Sequence, residues 1–436
     1  MRGMALACLL LLLLPWQGTP AASAQAVEAS SPRAASALLE LVTDRRTPAA
    51  KRGRALARLA EMDGGLPLEP LLAMRHQVRK AWLADYARCL GRTGTGALET
   101  LHQIREKRGT VLANAEATFA IVLLDQEKGE MFASRVLRQA SASVEEKVAA
   151  LRGLSVRGSP FARVEALRRL TIAEGPLLLE AVRTLQADPD PGDIPHLIDL
   201  LEERGGRAAN ECVQLLQRLT GYRIGRDPRS WKFWMLKHKA KGTPFRRDTS
   251  AEEEEPPTLS YMGIPILGEK VVFVLDSSGS MNTPLMENYS RTRGQKAVEE
   301  LIHLLPRLPE EASFDVIFFN SGVHSFGKAL VDRSPENLSA IEAWLRRNLF
   351  DGSTNLHGGV RAAFEREGVE EIIVLSDGEP TAGELTAPED ILFEARRWNR
   401  WRNIRVNSIS LGAPAPARNF LYRLAKDHDG VCRVID

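Results

Sequence analysis

Residues 270–281, KVVFVLDSSGSM, join a run of five apolar residues to one Asp and two Ser residues at alternating positions. An unbroken apolar run of this length is typical of a strand that is buried on both faces of a parallel sheet. Asp276, Ser278 and Ser280 follow where that strand ends. In parallel α/β sheets, ligands bind beyond the carboxyl ends of the strands. The stretch therefore predicts a central strand that leads directly into a binding site.

The sequence around this strand alternates between apolar runs and amphipathic stretches from residue 263 to residue 436. Such alternation indicates a mainly parallel sheet with helices on both faces, so residues 263–436 are predicted to form a doubly wound, Rossmann-like α/β domain. The predicted strands are 270–275, 313–319, 371–376, 405–411 and 431–435, with 324–327 as an edge strand. The predicted helices lie near 291–305, 335–348, 356–366, 388–402 and 416–427.

Residues 27–240 have a helical pattern throughout. Segments such as 146–154, 163–170 and 177–185 carry apolar residues at three- and four-residue steps, with Gly, Pro or Asp between them. This dense succession of short helices resembles a HEAT-like α-solenoid, in which each helical pair buries its apolar face against its neighbours. No strict repeat period is evident, so irregular helical packing stays open. The predicted fold class is multidomain, with an N-terminal all-α solenoid and a C-terminal α/β domain.

Two further segments indicate where the protein is located and how its two domains are connected. Residues 1–24 combine Arg2, an apolar stretch of about 13 residues and small residues ending at Ala24, which is typical of a cleaved signal peptide. An uncleaved anchor is the alternative, but a membrane span needs roughly 20 apolar residues. We therefore expect an exported protein in the periplasm, in the cell envelope or outside the cell. Residues 241–262 are charged and contain Pro, so they are predicted to be a solvated linker.

The composition excludes several classes of function. The chain of 436 residues has 58 Lys and Arg against 56 Asp and Glu, a net charge of +2. A chain so evenly balanced lacks the basic field that binds nucleic acid without sequence preference, so nucleic acid is not an expected partner. No CxxC pair or Cys/His cluster supports a zinc site. Beyond the predicted signal peptide, Cys89, Cys212 and Cys432 are odd in number and widely spaced, so at most one intramolecular disulfide can form, and buried free thiols are the prediction.

Three predicted loops at the carboxyl edge of the sheet carry oxygen-bearing side chains. Asp276, Ser278 and Ser280 lie in the first loop, Thr354 lies in DGSTNLHGG, and Asp377 lies in VLSDGEPT directly after a predicted strand. Carboxylate and hydroxyl oxygens are the hard donors that Mg²⁺ prefers, with Mn²⁺ and Ca²⁺ as alternatives. The sequence therefore predicts a divalent cation site at this edge.

The same residues resemble the metal-ion-dependent adhesion site of von Willebrand factor A domains, whose pattern is Asp-x-Ser-x-Ser, then Thr, then Asp. The resemblance covers residues 268–436. It implies that Ser278 and Ser280 bind the metal directly, that Thr354 does so directly or through water, and that Asp276 and Asp377 act through water or as alternating direct ligands. It also implies a binding function without turnover, in which the metal takes a Glu or Asp side chain from a partner protein and no small-molecule substrate is expected.

Many members of this family continue from the last strand into a further helix that couples metal coordination to affinity. The sequence given ends at Asp436, directly after the last predicted strand. From this difference we expect a protein that binds its partner constitutively, or one whose binding state is set by packing against the helical domain.

Two alternative functions stay open at this point. In the first, the helical region is the main interaction surface and the metal only stabilises the α/β domain. The second is a haloacid dehalogenase-type phosphatase, since those enzymes also begin with an apolar strand that ends in a nucleophilic Asp. They need a second Asp two residues later for proton transfer, whereas Ser278 stands at that position. The phosphatase is therefore the weaker alternative.

Overall fold

The computed structural model of the chain describes residues 32–241, 259–284 and 291–436. The predicted signal peptide, 1–24, and most of the predicted linker, 241–262, lie outside these ranges. The chain divides into two compact units, Met1–Asp125 and Gln126–Asp436. The domain boundaries expected from the sequence follow the change in secondary structure, and they stay a prediction. Among the described residues, no helix combines the length and the apolar character that a membrane crossing requires.

The described part of the first unit is helical. The helix Ala49–Glu61 places one apolar face inward, and its buried residues include Leu56, Leu59 and Ala60. The α-helices are α1 (Pro32–Thr43), α2 (Ala49–Glu61), α3 (Leu68–Ala73), α4 (Leu83–Leu90), α5 (Leu98–Gln103) and α6 (Val111–Leu124).

The second unit begins with a further series of helices that stack in two layers. Helices two apart in the chain contact each other, so that α8, α10 and α12 form one layer and α9, α11 and α13 form the other. This is the arrangement that lets short helices share a continuous core. The helices are α7 (Gly129–Arg138), α8 (Val144–Val156), α9 (Pro160–Ile172), α10 (Gly175–Ala187), α11 (Ile194–Glu203), α12 (Gly206–Thr220) and α13 (Pro228–Lys241).

Arg and Glu side chains join successive helices of the first layer. Arg152 of α8 pairs with Glu180 of α10 at 2.6 Å. Arg183 of α10 pairs in the same way with Glu211 of α12 at 3.4 Å. Each pair spans 28 residues. The second pair follows the first by 31 residues, from Arg152 to Arg183 and from Glu180 to Glu211, and this offset is a repeat signal that the apolar pattern alone does not carry.

The C-terminal part of the second unit is an α/β domain with the predicted topology. Strands β3, β4, β7, β8 and β9 are parallel, and β5 and β6 pair antiparallel with β4. The main order across the sheet is β5-β4-β3-β7-β8-β9. The strands are β1 (Ser260–Tyr261), β2 (Ile264–Pro265), β3 (Lys270–Asp276), β4 (Ser313–Phe319), β5 (Val323–Ser325), β6 (Val331–Asp332), β7 (Glu371–Ser376), β8 (Arg405–Leu411) and β9 (Cys432–Ile435).

Helices cover both faces of this sheet, which explains why the central strand β3 is apolar without alternation. One face packs on Val271, Phe273 and Leu275, and the other packs on Val272 and Val274. The helices are α14 (Arg293–Leu304), α15 (Pro335–Arg346), α16 (Leu356–Phe364), α17 (Pro388–Asn399) and α18 (Ala415–Lys426). The fold class expected from the sequence, an N-terminal helical region and a C-terminal doubly wound domain, is confirmed.

A short hairpin that the sequence did not predict precedes the sheet. Strands β1 and β2 pair antiparallel, with Tyr261 opposite Ile264. The Tyr261 ring is buried and its hydroxyl donates to the carbonyl of Ala297 in α14 at 2.9 Å. The hairpin therefore closes one side of the core beside α14.

The first helical layer contacts the α/β domain at the amino ends of its strands. Asn403, which precedes β8, accepts hydrogen bonds from Arg152 at 2.8 Å and from Arg183 at 3.0 Å. The Arg207 guanidinium donates to the Asn403 carbonyl. Arg183 also donates to Asp429, which precedes β9, at 2.6 Å. Each of the three helices of this layer therefore supplies one Arg that contacts the turns leading into β8 and β9.

The amino terminus of α12 completes this contact. The Gly206 amide donates to the Glu269 carboxylate at 2.6 Å, and the Arg207 amide donates to Glu370 at 3.5 Å. These carboxylates stand directly before β3 and β7 and occupy the positive end of a helix dipole. The helical layer therefore holds the edge of the sheet opposite to the carboxyl ends of its parallel strands.

Candidate metal centre

The predicted site residues lie on three loops at the carboxyl ends of β3 and β7, which are neighbours in the sheet. Asp276 is the last residue of β3, and Asp377 directly follows β7. Thr354 directly precedes Asn355, the N-cap residue of α16. The backbone joins the loops, because Asp351 donates to the carbonyl of Ser277 at 2.9 Å. The parallel pairing therefore brings together side chains that are far apart in the sequence.

A chain of hydroxyl and carboxylate contacts links the first and third loops. The hydroxyl oxygens of Ser278 and Ser280 lie 3.0 Å apart. The Ser280 hydroxyl donates to Asp377 Oδ1 at 2.7 Å. The Thr354 hydroxyl lies near the third loop. A Cβ atom added at Gly378 would be 3.9 Å from Thr354 Oγ1. Ser278, Ser280, Thr354 and Asp377 thus stand in one small region.

Asp276 anchors the base of this region. Its Oδ1 accepts from the Ser278 amide at 2.8 Å, and its Oδ2 accepts from the Ser376 hydroxyl at 2.6 Å. Burial raises the pKa of Asp276 to about 6, although the hydrogen bonds from Ser278 and Ser376 oppose the shift. Ser376 is the last residue of β7 and lies outside the motif, so no sequence pattern marks its contact with Asp276.

The donor set fits a small divalent cation. Oxygen ligands at about 2.0 to 2.1 Å from an octahedral Mg²⁺ lie about 2.9 Å from their neighbours in the shell. The hydrogen bonds from Ser280 to Ser278 and to Asp377, at 3.0 and 2.7 Å, are compatible with this spacing. Within the described ranges, no cluster of three or more His, Cys, Asp or Glu residues could hold a metal. The site offers two carboxylates and relies on hydroxyls for its other donors, which suits Mg²⁺ better than zinc.

One cationic side chain at the site was not predicted from the sequence. Arg293, the first residue of α14, donates from Nη1 to Asp377 Oδ2 at 2.9 Å. The Asp377 side chain is 0% exposed and that of Arg293 is 18% exposed. No local pattern marks Arg293, because it lies 84 residues from Asp377 in the chain.

The family comparison covers this domain. A family model described as the von Willebrand factor type A domain matches residues 269–434. The match runs from the residue before β3 into β9 and includes all five predicted site residues. The C-terminal domain is a von Willebrand factor A-like domain. The match covers less than half of the chain, and the helical part of the protein lies outside it.

The curated relatives match a limited part of the chain. Inter-alpha-trypsin inhibitor heavy chain H1 from Sus scrofa is 34% identical over 147 residues, which are 30% of this chain and 15% of that protein. Inter alpha-trypsin inhibitor, heavy chain 4, from Mus musculus is 30% identical over 185 residues, 39% of this chain and 18% of the relative. The chain thus spans less than a fifth of the length of these relatives.

Solved structures of similar fold also align with part of the chain. A von Willebrand factor type A protein from Catenulispora acidiphila is 19% identical, with 40% of each chain covered and a TM-score of 0.33. An aerotolerance-related membrane protein from Bacteroides fragilis is 18% identical, with 38% of this chain and 91% of that chain covered and a TM-score of 0.29. Both TM-scores lie below 0.5, so the fold is assigned from the strand order and the family match.

Proposed function

We propose that this protein is an exported, non-enzymatic binding protein whose A domain holds Mg²⁺ and, through it, an acidic side chain of a partner protein. A von Willebrand factor A domain indicates a function in protein interaction. The proposal adds three specific features to this function: the bound metal, the acidic side chain of the partner, and a location in the periplasm, in the cell envelope or outside the cell. Export follows from the signal-like residues 1–24.

The observation that carries the proposal is the chain of contacts from Ser278 through Ser280 to Asp377. Its oxygen atoms lie 3.0 and 2.7 Å apart, which is hydrogen-bond spacing and also lets these atoms be neighbours in the shell of one Mg²⁺. Without a metal, the Arg293 guanidinium pairs with Asp377. The Asp276 carboxylate, which accepts from the Ser278 amide and the Ser376 hydroxyl, would then carry its negative charge in a place shielded from water. A divalent cation balances the two carboxylates.

Each residue then has a distinct part in holding the cation. Ser278 and Ser280 supply neutral oxygen ligands, and Thr354 supplies a third, directly or through water. Asp276 and Asp377 balance the charge of the cation, through water or by direct contact. When bound, the cation would supply an electrophilic position that accepts a carboxylate oxygen. Neutral hydroxyl donors leave that position more electrophilic than a shell of carboxylates would.

Replacement of Thr354 by Ala tests the proposal. The Thr354 backbone is held by Thr381, whose hydroxyl accepts from the Thr354 amide at 2.9 Å, so the loop should survive loss of the side-chain hydroxyl. We expect Thr354→Ala to weaken Mn²⁺ binding, measured by electron paramagnetic resonance, by about 10- to 100-fold, the range typical of disturbed metal shells. Thr354→Ser, which keeps the hydroxyl, should bind Mn²⁺ nearly as wild type does.

The partner is tested with the same variants. A protein retained from envelope extract by wild type and Thr354→Ser in Mg²⁺, and lost in EDTA and with Thr354→Ala, would support metal-dependent adhesion. Equal retention by all baits in both conditions would contradict it.

A second candidate function is a helical scaffold in which the metal is only structural. A groove of about 940 Å³ between α7 and α9 favours it. Met131, Phe161 and Val164 line this groove, and these residues are 64%, 50% and 44% exposed. On this alternative, Thr354→Ala would lower the stability of the A domain and leave partner retention unchanged.

The phosphatase alternative is not proposed further. Ser278, which stands where a phosphatase of that type has its acid, shares a hydrogen bond with Ser280. A hydroxyl cannot replace a carboxylate in proton transfer at neutral pH.

A further inference from the structure

Arg293 lies inside the proposed metal site although the site motif does not include it. Its Nη1 donates to Asp377 Oδ2 at 2.9 Å, while Asp377 Oδ1 accepts from Ser280 at 2.7 Å. One Asp377 oxygen therefore faces the hydroxyl chain and the other faces a guanidinium. The ion pair is largely shielded from water, because the Asp377 side chain is 0% exposed.

Stability of α14 does not explain a cation at this position. Arg293 is the first residue of the helix, where the helix dipole favours anionic side chains and disfavours cations. The start of the helix is already capped, because Thr292 and Gln295 form a reciprocal capping box. The positive charge at Arg293 must be stabilised by something else, and Asp377 is the group it contacts.

The chain also leaves room for the guanidinium. Gly412 follows β8, and a Cβ added there would lie 2.3 Å from Arg293 Nη2. The backbone of Gly412 has a φ of +61°, which non-glycine residues rarely adopt. Arg293 Nε is buried, and it finds no hydrogen-bond acceptor in the described part of the chain. The guanidinium thus keeps a shielded donor beyond its bond to Asp377.

Arg293 changes the charge of the site. Two carboxylates, Asp276 and Asp377, balance a divalent cation and would leave a neutral site. The guanidinium raises the net charge of the loaded site to one positive unit. Charges in such a shielded place interact more strongly than in water. A like charge close to the cation weakens its binding, and a net positive site attracts an anionic ligand.

We propose that Arg293 is a specificity-determining residue of the A domain, which makes the loaded site cationic so that it selects a carboxylate from the partner at some cost in metal affinity. This rests on the proposed function, because it presumes that the site holds a divalent cation. Because the role is electrostatic, loss of the Arg293 charge should raise the metal affinity. Loss of a residue that only holds Asp377 in place should lower it.

Two variants of the full protein test this sign. Arg293→Gln removes the charge and keeps a hydrogen-bond donor, and it should bind Mn²⁺ about 3- to 10-fold more tightly than wild type in an electron paramagnetic resonance titration. Arg293→Lys keeps the charge and should bind Mn²⁺ within about twofold of wild type. Weaker or unchanged binding by Arg293→Gln would overturn the proposal, as would equal tightening by Arg293→Lys.

A second measurement addresses ligand selection. N-acetylglutamate amide should displace water from the bound Mn²⁺, measured by water-proton relaxation, at a concentration about 3- to 10-fold lower in wild type than in Arg293→Gln. The uncharged N-acetylglutamine amide is the matched control probe. Its effect on water-proton relaxation should be the same for wild type and Arg293→Gln. An equal response of both proteins to the glutamate probe would contradict a role in selection.

The outcomes separate this proposal from the one on which it rests. Wild type that binds no Mn²⁺ would overturn the proposed function and this inference together. Wild type that binds Mn²⁺, with Arg293→Gln no tighter, would overturn only the role of Arg293. Circular dichroism of each variant in EDTA establishes that it is folded before its affinity is compared.

Discussion

At the scale of single residues, Asp276 links folding to the proposed metal site. It is fully buried at the end of β3, and burial raises its pKa to about 6 from an ordinary value of 3.8. A carboxyl group whose pKa is raised on folding stabilises the protein below its unfolded pKa and loses that contribution as the pH rises through the folded pKa. In EDTA, the Asp276 contribution should therefore be lost between about pH 4 and pH 6.

Replacement of Asp276 by Asn should stabilise the metal-free protein. The Asn oxygen can still accept from the Ser278 amide, and its amide can donate to the Ser376 hydroxyl. In EDTA at pH 7.5 we expect Asp276→Asn to raise the free energy of unfolding by about 1 to 3 kcal/mol, measured by urea denaturation. The gain should be smallest near pH 4, where the wild-type carboxyl is protonated.

Magnesium provides the control for this variant. Excess Mg²⁺ at pH 7.5 should raise the melting temperature of wild type and leave that of Asp276→Asn nearly unchanged, because the Asn side chain cannot balance the cation. A variant that is less stable than wild type in EDTA at pH 7.5 would show that the carboxylate is favourable even without metal.

At the scale of elements, the turn between α17 and β8 depends on one asparagine. Asn403 has a φ of +55° and its side chain bonds to Arg152, Arg183 and Glu180. Asn tolerates this left-handed conformation better than other non-glycine residues do, and its short amide can both donate and accept. The turn therefore joins backbone geometry to the contact between the helical layer and the A domain.

Two substitutions at Asn403 separate these contributions. Asn403→Gly loses the side-chain bonds and keeps a favourable backbone, whereas Asn403→Ala loses the bonds and must also adopt a positive φ. We expect urea denaturation to give a loss of about 1 to 3 kcal/mol for Asn403→Gly and about 1 kcal/mol more for Asn403→Ala. Equal losses for the two variants would mean that the backbone conformation of the turn relaxes freely.

At the scale of the whole second unit, the proposed metal site and the helical layer lie at opposite ends of the same strands. Strand β3 has 7 residues, which corresponds to roughly 20 Å between its ends. Charges at that distance are largely screened at physiological ionic strength. The helical layer should therefore support the stability of the A domain without setting its metal affinity.

Replacement of Arg183 by Ala tests this independence. The change removes the hydrogen bonds from Arg183 to Asn403 and Asp429. It also removes the ion pair between Arg183 and Glu211. We expect a loss of about 1 to 3 kcal/mol in the free energy of unfolding and Mn²⁺ affinity within about twofold of wild type. Arg229→Ala, at a side chain that is 89% exposed, is the control and should change neither quantity. A large loss of Mn²⁺ affinity in Arg183→Ala would reveal coupling along the sheet.

Local patterns in the sequence determined the fold of the C-terminal domain and the candidate site. The predicted strands 313–319, 371–376 and 405–411 agree with β4, β7 and β8 to the residue, although β4 and β8 also bury polar residues such as Asp315 and Asn407. The edge strand β5 lies at Val323–Ser325 instead of 324–327, since edges are less constrained by burial. The five oxygen-bearing residues could be grouped in advance because parallel topology brings strand ends together.

Only the tertiary structure decided which distant side chains meet around these elements. Arg293 meets Asp377 across 84 residues, and Arg152 meets Asn403 across 251 residues. Neither pair belongs to a helical or strand period, so no local pattern could identify it. Both contacts are shielded from water, because the Asp377 side chain is 0% exposed and Asn403 is buried. Patterns of apolar residues predict where the chain is buried, while contacts between polar residues depend on how the buried elements pack.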